Sequence, residues 1–138
     1  MMVSGKGNRT LSVSAWIFAI VAGIVALQGL LDGLPRHGLD SSWPDHARFH
    51  VTLAAFSQIG FCLMAATVAL IPFRRAERWS WWVLLGFTVF GNFSLIPAAL
   101  WQGSGPQEKF TIPIALAFAA LVAALSMSWK VGFRRSAG

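Results

Sequence analysis

Long uncharged apolar stretches alternate with short polar ones along this chain. Leu11–Leu31, Val51–Ile71, Trp79–Trp101 and Phe110–Trp129 carry no ionisable acid or base, and they are 21, 21, 23 and 20 residues long. About 20 apolar residues rising 1.5 Å each cross a hydrocarbon core of about 30 Å. The pattern predicts an all-α, four-helix transmembrane bundle: one integral membrane domain over 1–138, with helices at about 11–31, 46–71, 79–101 and 110–130. Outer loops are expected at 32–45 and 102–109, and Met1–Arg9 reads as a disordered polar tail. Asp32 marks the end of the first helix, and Gly33, Pro35 and Gly38 exclude regular helix from the loop after it. That loop is long for a helix-to-helix connection and is read as a lid or a span between separated helix ends. Pro72 ends the second helix, Pro97 predicts a kink near Phe93, and Pro113 fits the first turn of the fourth. Ala15, Ala19 and Gly23 recur at intervals of four, which lets a neighbouring helix approach closely.

Composition and charge give the bundle an orientation. Hydrophobic residues are 56% of the chain and charged residues 12%, about half the share of a soluble domain. Lys6, Arg9, Arg74, Arg75, Arg78, Lys130, Arg134 and Arg135 fall on one side of a four-helix path, and only Arg36, Arg48 and Lys109 on the other. Eight against three is a positive-inside bias, so both termini are expected in the cytoplasm of a bacterial inner (plasma) membrane. The acids split the other way: Asp32, Asp40, Asp45 and Glu108 outside, Glu77 inside. The net charge of +6 therefore reads as topology and lipid headgroup contact, with no nucleic acid partner. Trp16, Trp79, Trp81, Trp82 and Trp129 lie near inner ends, Trp43 and Trp101 at outer ends, as interfacial belts require. The first apolar run is longer than a signal h-region and no A-x-A site follows, so it reads as a retained helix. The single cysteine, Cys62, rules out an internal disulfide and a Cys-x-x-Cys pair.

Candidate chemistry gathers in Trp43-Pro44-Asp45-His46-Ala47-Arg48-Phe49-His50. Ser42 can cap the second helix, Pro44 suits its first turn, and Asp45 stands near the position of a capping-box acid. His46 and His50, at i and i+4, share one helix side with Cβ atoms about 6 Å apart. As acid–base groups, His50, His46 and Asp45 form a candidate catalytic set acting on a lipid-like substrate. Arg48, Asn92, Gln28, Gln58 and Asp32 are the candidate ligand-binding residues of an outward-facing polar pocket: Arg48 for an anionic group, Asn92 and Gln28 for a hydroxyl or carbonyl. A metal held by His46, His50 and His37 is a third possibility, although the sequence requires no cofactor. The structural alternative makes Asp45 a cap, Arg48 a snorkelling cation, and His50, Gln58 and Asn92 interhelical hydrogen-bonding groups.

Several classes are excluded. Ala47 stands between the histidines where a metalloprotease needs a glutamate. Three histidines are too few for a membrane hydroxylase or desaturase, and the first helix lacks the buried acid of a small multidrug transporter. No phosphate-cradling glycine loop or nucleophile elbow is present.

The string W-P-x-H-A-R-F-H from Trp43 to His50 resembles one found in small four-helix integral membrane proteins of unknown function, over eight residues. The resemblance implies a membrane protein of that architecture and assigns no roles. The function expected is a small polytopic inner-membrane protein that binds an apolar, lipid-like ligand or a partner helix. The alternatives are a membrane-embedded isomerase, cyclase or hydrolase using His50 and His46, and an accessory subunit of a respiratory or photosynthetic complex. A homo-oligomer is compatible with each.

Overall fold

The computed structural model describes the backbone of residues 5–93 and 108–130, and the side chains of 7–36, 38–90 and 114–130. The regular structure among these residues is helical, with no strand: α1 (Gly5–Gln28), a π-helical segment (Gly29–Gly38), α2 (Asp45–Val68), a second π segment (Ala69–Phe73), α3 (Arg78–Phe93) and α4 (Glu108–Ser128). Two helical stretches, Gly7–Arg36 and Asp45–Phe73, are long and apolar enough to cross a membrane.

Five boundaries differ from the sequence reading. The expected tail is already helix from Gly5. Extending an existing helix is far less costly than nucleating one, so the apolar run from Leu11 carries its polar flank with it. The first helix also passes Asp32 and continues to Gly38 in wide π turns. Pro35 has no N–H, and in α geometry its ring would clash with the carbonyl four residues back. The wider i→i+5 winding moves that carbonyl away, and the Leu39 N–H closes the segment on the Leu34 carbonyl at 3.0 Å. Pro72 is accommodated in the same way within Ala69–Phe73. At the start of α2, Pro44 (ψ 142°) is the N-cap without a side-chain cap bond. Ser42 does not cap; its own N–H donates to Asp40 Oδ1 at 2.9 Å, a local turn that competes with the capping role. Finally, α4 opens at Glu108, which places Pro113 beyond the first turn. The Pro97 kink and residues 94–107 lie outside the described residues.

The turn between α2 and α3 is as short as expected. Glu77 N–H donates to the Pro72 carbonyl (3.1 Å) and Ala76 N–H to the Phe73 carbonyl (3.0 Å), the paired bonds of a Schellman stop. Ala76 occupies the left-handed position (φ 59°) where glycine is usual, so no sequence signal marks it.

Small and aromatic side chains make the core. Leu11, Ala15, Phe18 and Ala22 of α1 are buried with Ala65, Ala69 and Phe73 from the α2 side and with Leu121, Ala124 and Leu125 of α4. Ala15 and Ala22 thus hold the close-approach positions, while Gly23 faces open space. The Phe18 and Phe73 rings meet at 6.1 Å, and Phe61 of α2 meets Phe87 of α3 at 5.9 Å. Trp81 of α3 donates its indole N–H to the Leu125 carbonyl at 3.1 Å and packs on Trp129, with ring centroids 4.7 Å apart. The start of α1, the end of α2, the start of α3 and the end of α4 therefore meet at one end of the bundle, and Arg9, Arg74, Arg75 and Lys130 lie there.

The outward faces are as apolar as the inward ones. Val13, Trp16, Ile20, Ile24, Leu27 and Leu31 are all exposed, at the three- and four-residue spacing of one helix stripe. Phe49, Leu53, Phe56 and Leu63 repeat this on α2, and Ile71 on the π segment that follows. The most apolar stretches of the two long helices are only 28% and 22% buried, so neither is sequestered within the chain. Three hydroxyls on the helices are turned back on the backbone: Thr67 Oγ1 donates to the Leu63 carbonyl, Thr88 Oγ1 to Leu84 and Ser128 Oγ to Leu125, each at 2.8 Å, while Ser14 Oγ is buried without a partner.

Gly38 is buried where the π segment crosses α2. A Cβ there would stand 2.7 Å from Thr52 Oγ1 and 2.9 Å from Leu34 Cδ1. Gly38→Val is expected to destabilise the protein by about 1–3 kcal/mol, whereas Gly23→Ala, with nothing within 4 Å, is expected to be neutral or better. Thermal unfolding in a neutral detergent checks the pair; equal midpoints would contradict the close crossing.

Candidate functional site

Four helices leave a cavity of about 360 Å³ between them. Its apolar wall includes Phe18, Ala22 and Val25 of α1, Ala65 of α2, Phe87 of α3, and Ile114, Ala117 and Leu121 of α4. Phe18, Ala22, Ala65 and Leu121 are buried and form its deep end. Gln28 and Asp32, four residues apart on one face of the α1 stretch, reach its other end, and Gln58 meets them from α2. A Cβ placed on Gly29 would lie 3.7 Å from Gln58 Oε1, so the lack of a side chain at 29 leaves room for the amide beside the first π segment. The Gln28 and Gln58 side chains are exposed among the described residues. Cys62 and Thr88 also line the space, but the Thr88 hydroxyl donates to the Leu84 carbonyl, so the amides and the carboxylate stand together at one end of a largely apolar wall.

The charge at that end is balanced locally. Asp32 Oδ1 accepts from Arg36 Nε, one α-type turn later on the same stretch. The two amides offer both donors and acceptors without net charge. Such a rim suits a neutral hydroxyl or carbonyl group, and the wall suits hydrocarbon.

The histidine cluster is a different place. Asp45, His46, Arg48 and His50 are not among the residues lining the cavity. They occupy the first turns of α2, with Asp45, His46 and His50 exposed. His46 and His50 stand Nε2 to Nε2 at 3.1 Å with ring planes at 82°, and Phe49 packs on His50 at 5.6 Å between centroids. One neutral ring must accept from the other, so the pair is a self-contained hydrogen bond. Asp45 bonds to the Arg48 guanidinium rather than to either imidazole. Arg48 Nε is buried without a partner. Of the eight residues singled out from sequence for catalysis or ligand contact, the structure brings Gln28, Asp32 and Gln58 together and sets Asp45, His46, Arg48 and His50 apart. The eighth, the Asn92 side chain, and that of His37 lie outside the described residues.

Two imidazoles at 3.1 Å could share a metal, but among the described residues no group of three or more possible ligands forms. Two ligands are half of a tetrahedral zinc shell. Sequence reasoning missed the depth of the cavity, because its wall is built of ordinary apolar residues such as Ala22, Ala117 and Leu121, which carry no motif. The i,i+4 spacing of Gln28 and Asp32 was the available signal.

Comparison of the chain with protein-family models, with curated proteins and with solved structures finds no match.

Because the His46–His50 bond is exposed and local, the His46→Ala/His50→Ala double variant is expected to lose less than about 1 kcal/mol of stability. Thermal unfolding in detergent checks this; a collapse of the fold would show that the pair braces the helix ends.

Proposed function

We propose that this is a small polytopic membrane protein with four transmembrane helices and both termini in the cytoplasm. We read it as binding a neutral, lipid-like molecule in the cavity between its helices. The observation that carries this reading is the cavity's division into a buried apolar end and a rim of Gln28, Asp32 and Gln58. An amphiphile fits that division: hydrocarbon beside Phe18, Ala22 and Leu121, and a hydroxyl or carbonyl between the two amides. The apolar outward faces of α1 and α2 support the membrane setting, since such stripes in water would be costly and adhesive. The basic residues at one end of the bundle support a cytoplasmic assignment for that end, and a bacterial inner membrane is the setting in which this rule was read.

Acid–base catalysis by His50 and His46 on the bound molecule receives no support from the geometry. The imidazoles bond to each other, and neither is among the cavity-lining residues.

Mass spectrometry of the native protein, extracted in mild detergent, tests the proposal. The wild type is expected to carry a neutral lipid-like molecule in defined stoichiometry. Gln58→Leu, which removes one hydrogen-bonding partner, is expected to lower its retention about three- to tenfold. Ala117→Leu, at a lining position outside the buried helix seam, fills part of the cavity and is expected to abolish retention, while the His46→Ala/His50→Ala variant retains the ligand fully. Retention unaffected by both cavity substitutions would refute the site.

A further inference from the structure

A second concavity lies at the basic end of the bundle and takes no part in the cavity above. It is a groove of about 530 Å³ between the first turns of α1 and the end of α2. Asn8, Arg9 and Ser12 form one bank; Leu70, Ile71, Arg74 and Arg75 form the other. The antiparallel packing of α1 and α2 brings these together, since Arg9 is on the first turns of one helix and Arg74–Arg75 follow Phe73 at the end of the other.

The chemistry of the groove is one-sided. Three guanidiniums line it and no carboxylate does. The ion pairs among the described residues involve Arg36 and Arg48, so Arg9, Arg74 and Arg75 enter none there. The acid nearest in sequence, Glu77, accepts from the Trp79 indole N–H at 2.8 Å. Like charges held together in this way favour an anion between them, and guanidinium forks match the oxygens of a phosphate. Asn8 and Ser12 add neutral donors beside them. Ile71, half exposed at 49%, and Leu70 supply an apolar strip next to the cations. A free inorganic anion has no use for that strip, whereas an amphiphile does.

We infer that this groove holds the phosphodiester headgroup of an anionic phospholipid, with Arg9, Arg74 and Arg75 on the phosphate and the first acyl carbons against Leu70 and Ile71. The inference rests on the membrane reading proposed above, but on different residues from the ligand cavity. It gives the basic end a built recognition site, beyond a diffuse attraction to the leaflet.

The test uses the full chain in phosphatidylcholine nanodiscs with or without phosphatidylglycerol, released for native mass spectrometry. Phosphatidylglycerol is expected to be retained in preference to phosphatidylcholine, and inorganic phosphate is expected not to displace it. Arg74→Gln/Arg75→Gln should lower the preference about tenfold or more, as two cations near the surface each contribute about a factor of five. Arg74→Lys/Arg75→Lys, which keeps the charge and loses the forks, should fall between. The His46→Ala/His50→Ala variant, in the exposed first turns of α2, should leave the preference unchanged. Equal retention of the two lipids, or a preference that survives Arg74→Gln/Arg75→Gln, overturns the groove and leaves the ligand cavity standing. Displacement by inorganic phosphate shows a phosphate site without lipid specificity and also overturns the inference. Failure of the chain to enter the nanodiscs at all removes the membrane reading and this inference together.

Discussion

Close contact between helices through alanine is the interaction on which this architecture depends. Ala15 and Ala22 on α1, Ala65 and Ala69 on the α2 side, and Ala124 on α4 are buried at the helix contacts. A small side chain there lets backbones approach, so dispersion contacts accumulate along the whole seam. The bulky residues Val13, Trp16, Ile20 and Ile24 of the same helix point the other way. A water-soluble bundle sorts its residues in the opposite sense, large apolar groups inward and polar groups outward. Here the inward face is marked by alanines set between Leu11, Phe18 and Phe73, and not by an apolar face opposed to a polar one. Association by shape in an apolar solvent would select for that sorting.

The same economy governs the polar groups. Thr67, Thr88 and Ser128 satisfy their hydroxyls on carbonyls of their own helices, so they cost little within an apolar layer. Gln28 and Gln58 cannot turn back in that way, and they converge on the one space where a polar group from outside could meet them. Charged side chains are pushed to the ends, where Asp32 pairs with Arg36 and Asp45 with Arg48, while Arg9, Arg74 and Arg75 gather without such partners among the described residues.

Helix existence was legible because uncharged runs such as Leu11–Leu31 and Val51–Ile71 admit few other structures. Helix ends were not. Pro35 and Gly38 read as loop residues, yet π winding absorbs the missing donor at Pro35, and Gly38 serves a close crossing against Thr52. Ser42 had the chemistry of a cap, but α2 opens at Asp45, which puts Pro44 in the capping position. In the candidate site, the polar residues Gln28 and Gln58 were found because an amide stands out in an apolar run. Grouping them with His46 and His50 went further than spacing allows, since sequence reports which face of one helix a residue shares and says little about which neighbour fills the space opposite. Arg74 and Arg75 were read as markers of orientation, because Arg9, their companion across the groove, lies some sixty-five residues earlier in the chain.

The clustered indoles have an optical consequence. Trp81 lies 4.7 Å from Trp129 and 4.9 Å from Trp82, and Trp82 lies 6.2 Å from Trp129. Chromophores at such separations couple their transitions and give a circular-dichroism couplet that isolated tryptophans lack. The chain contains no tyrosine to overlay that signal. The α3–α4 contact therefore carries an intrinsic spectroscopic label, and its separation could be followed in real time apart from loss of helix in α1 and α2.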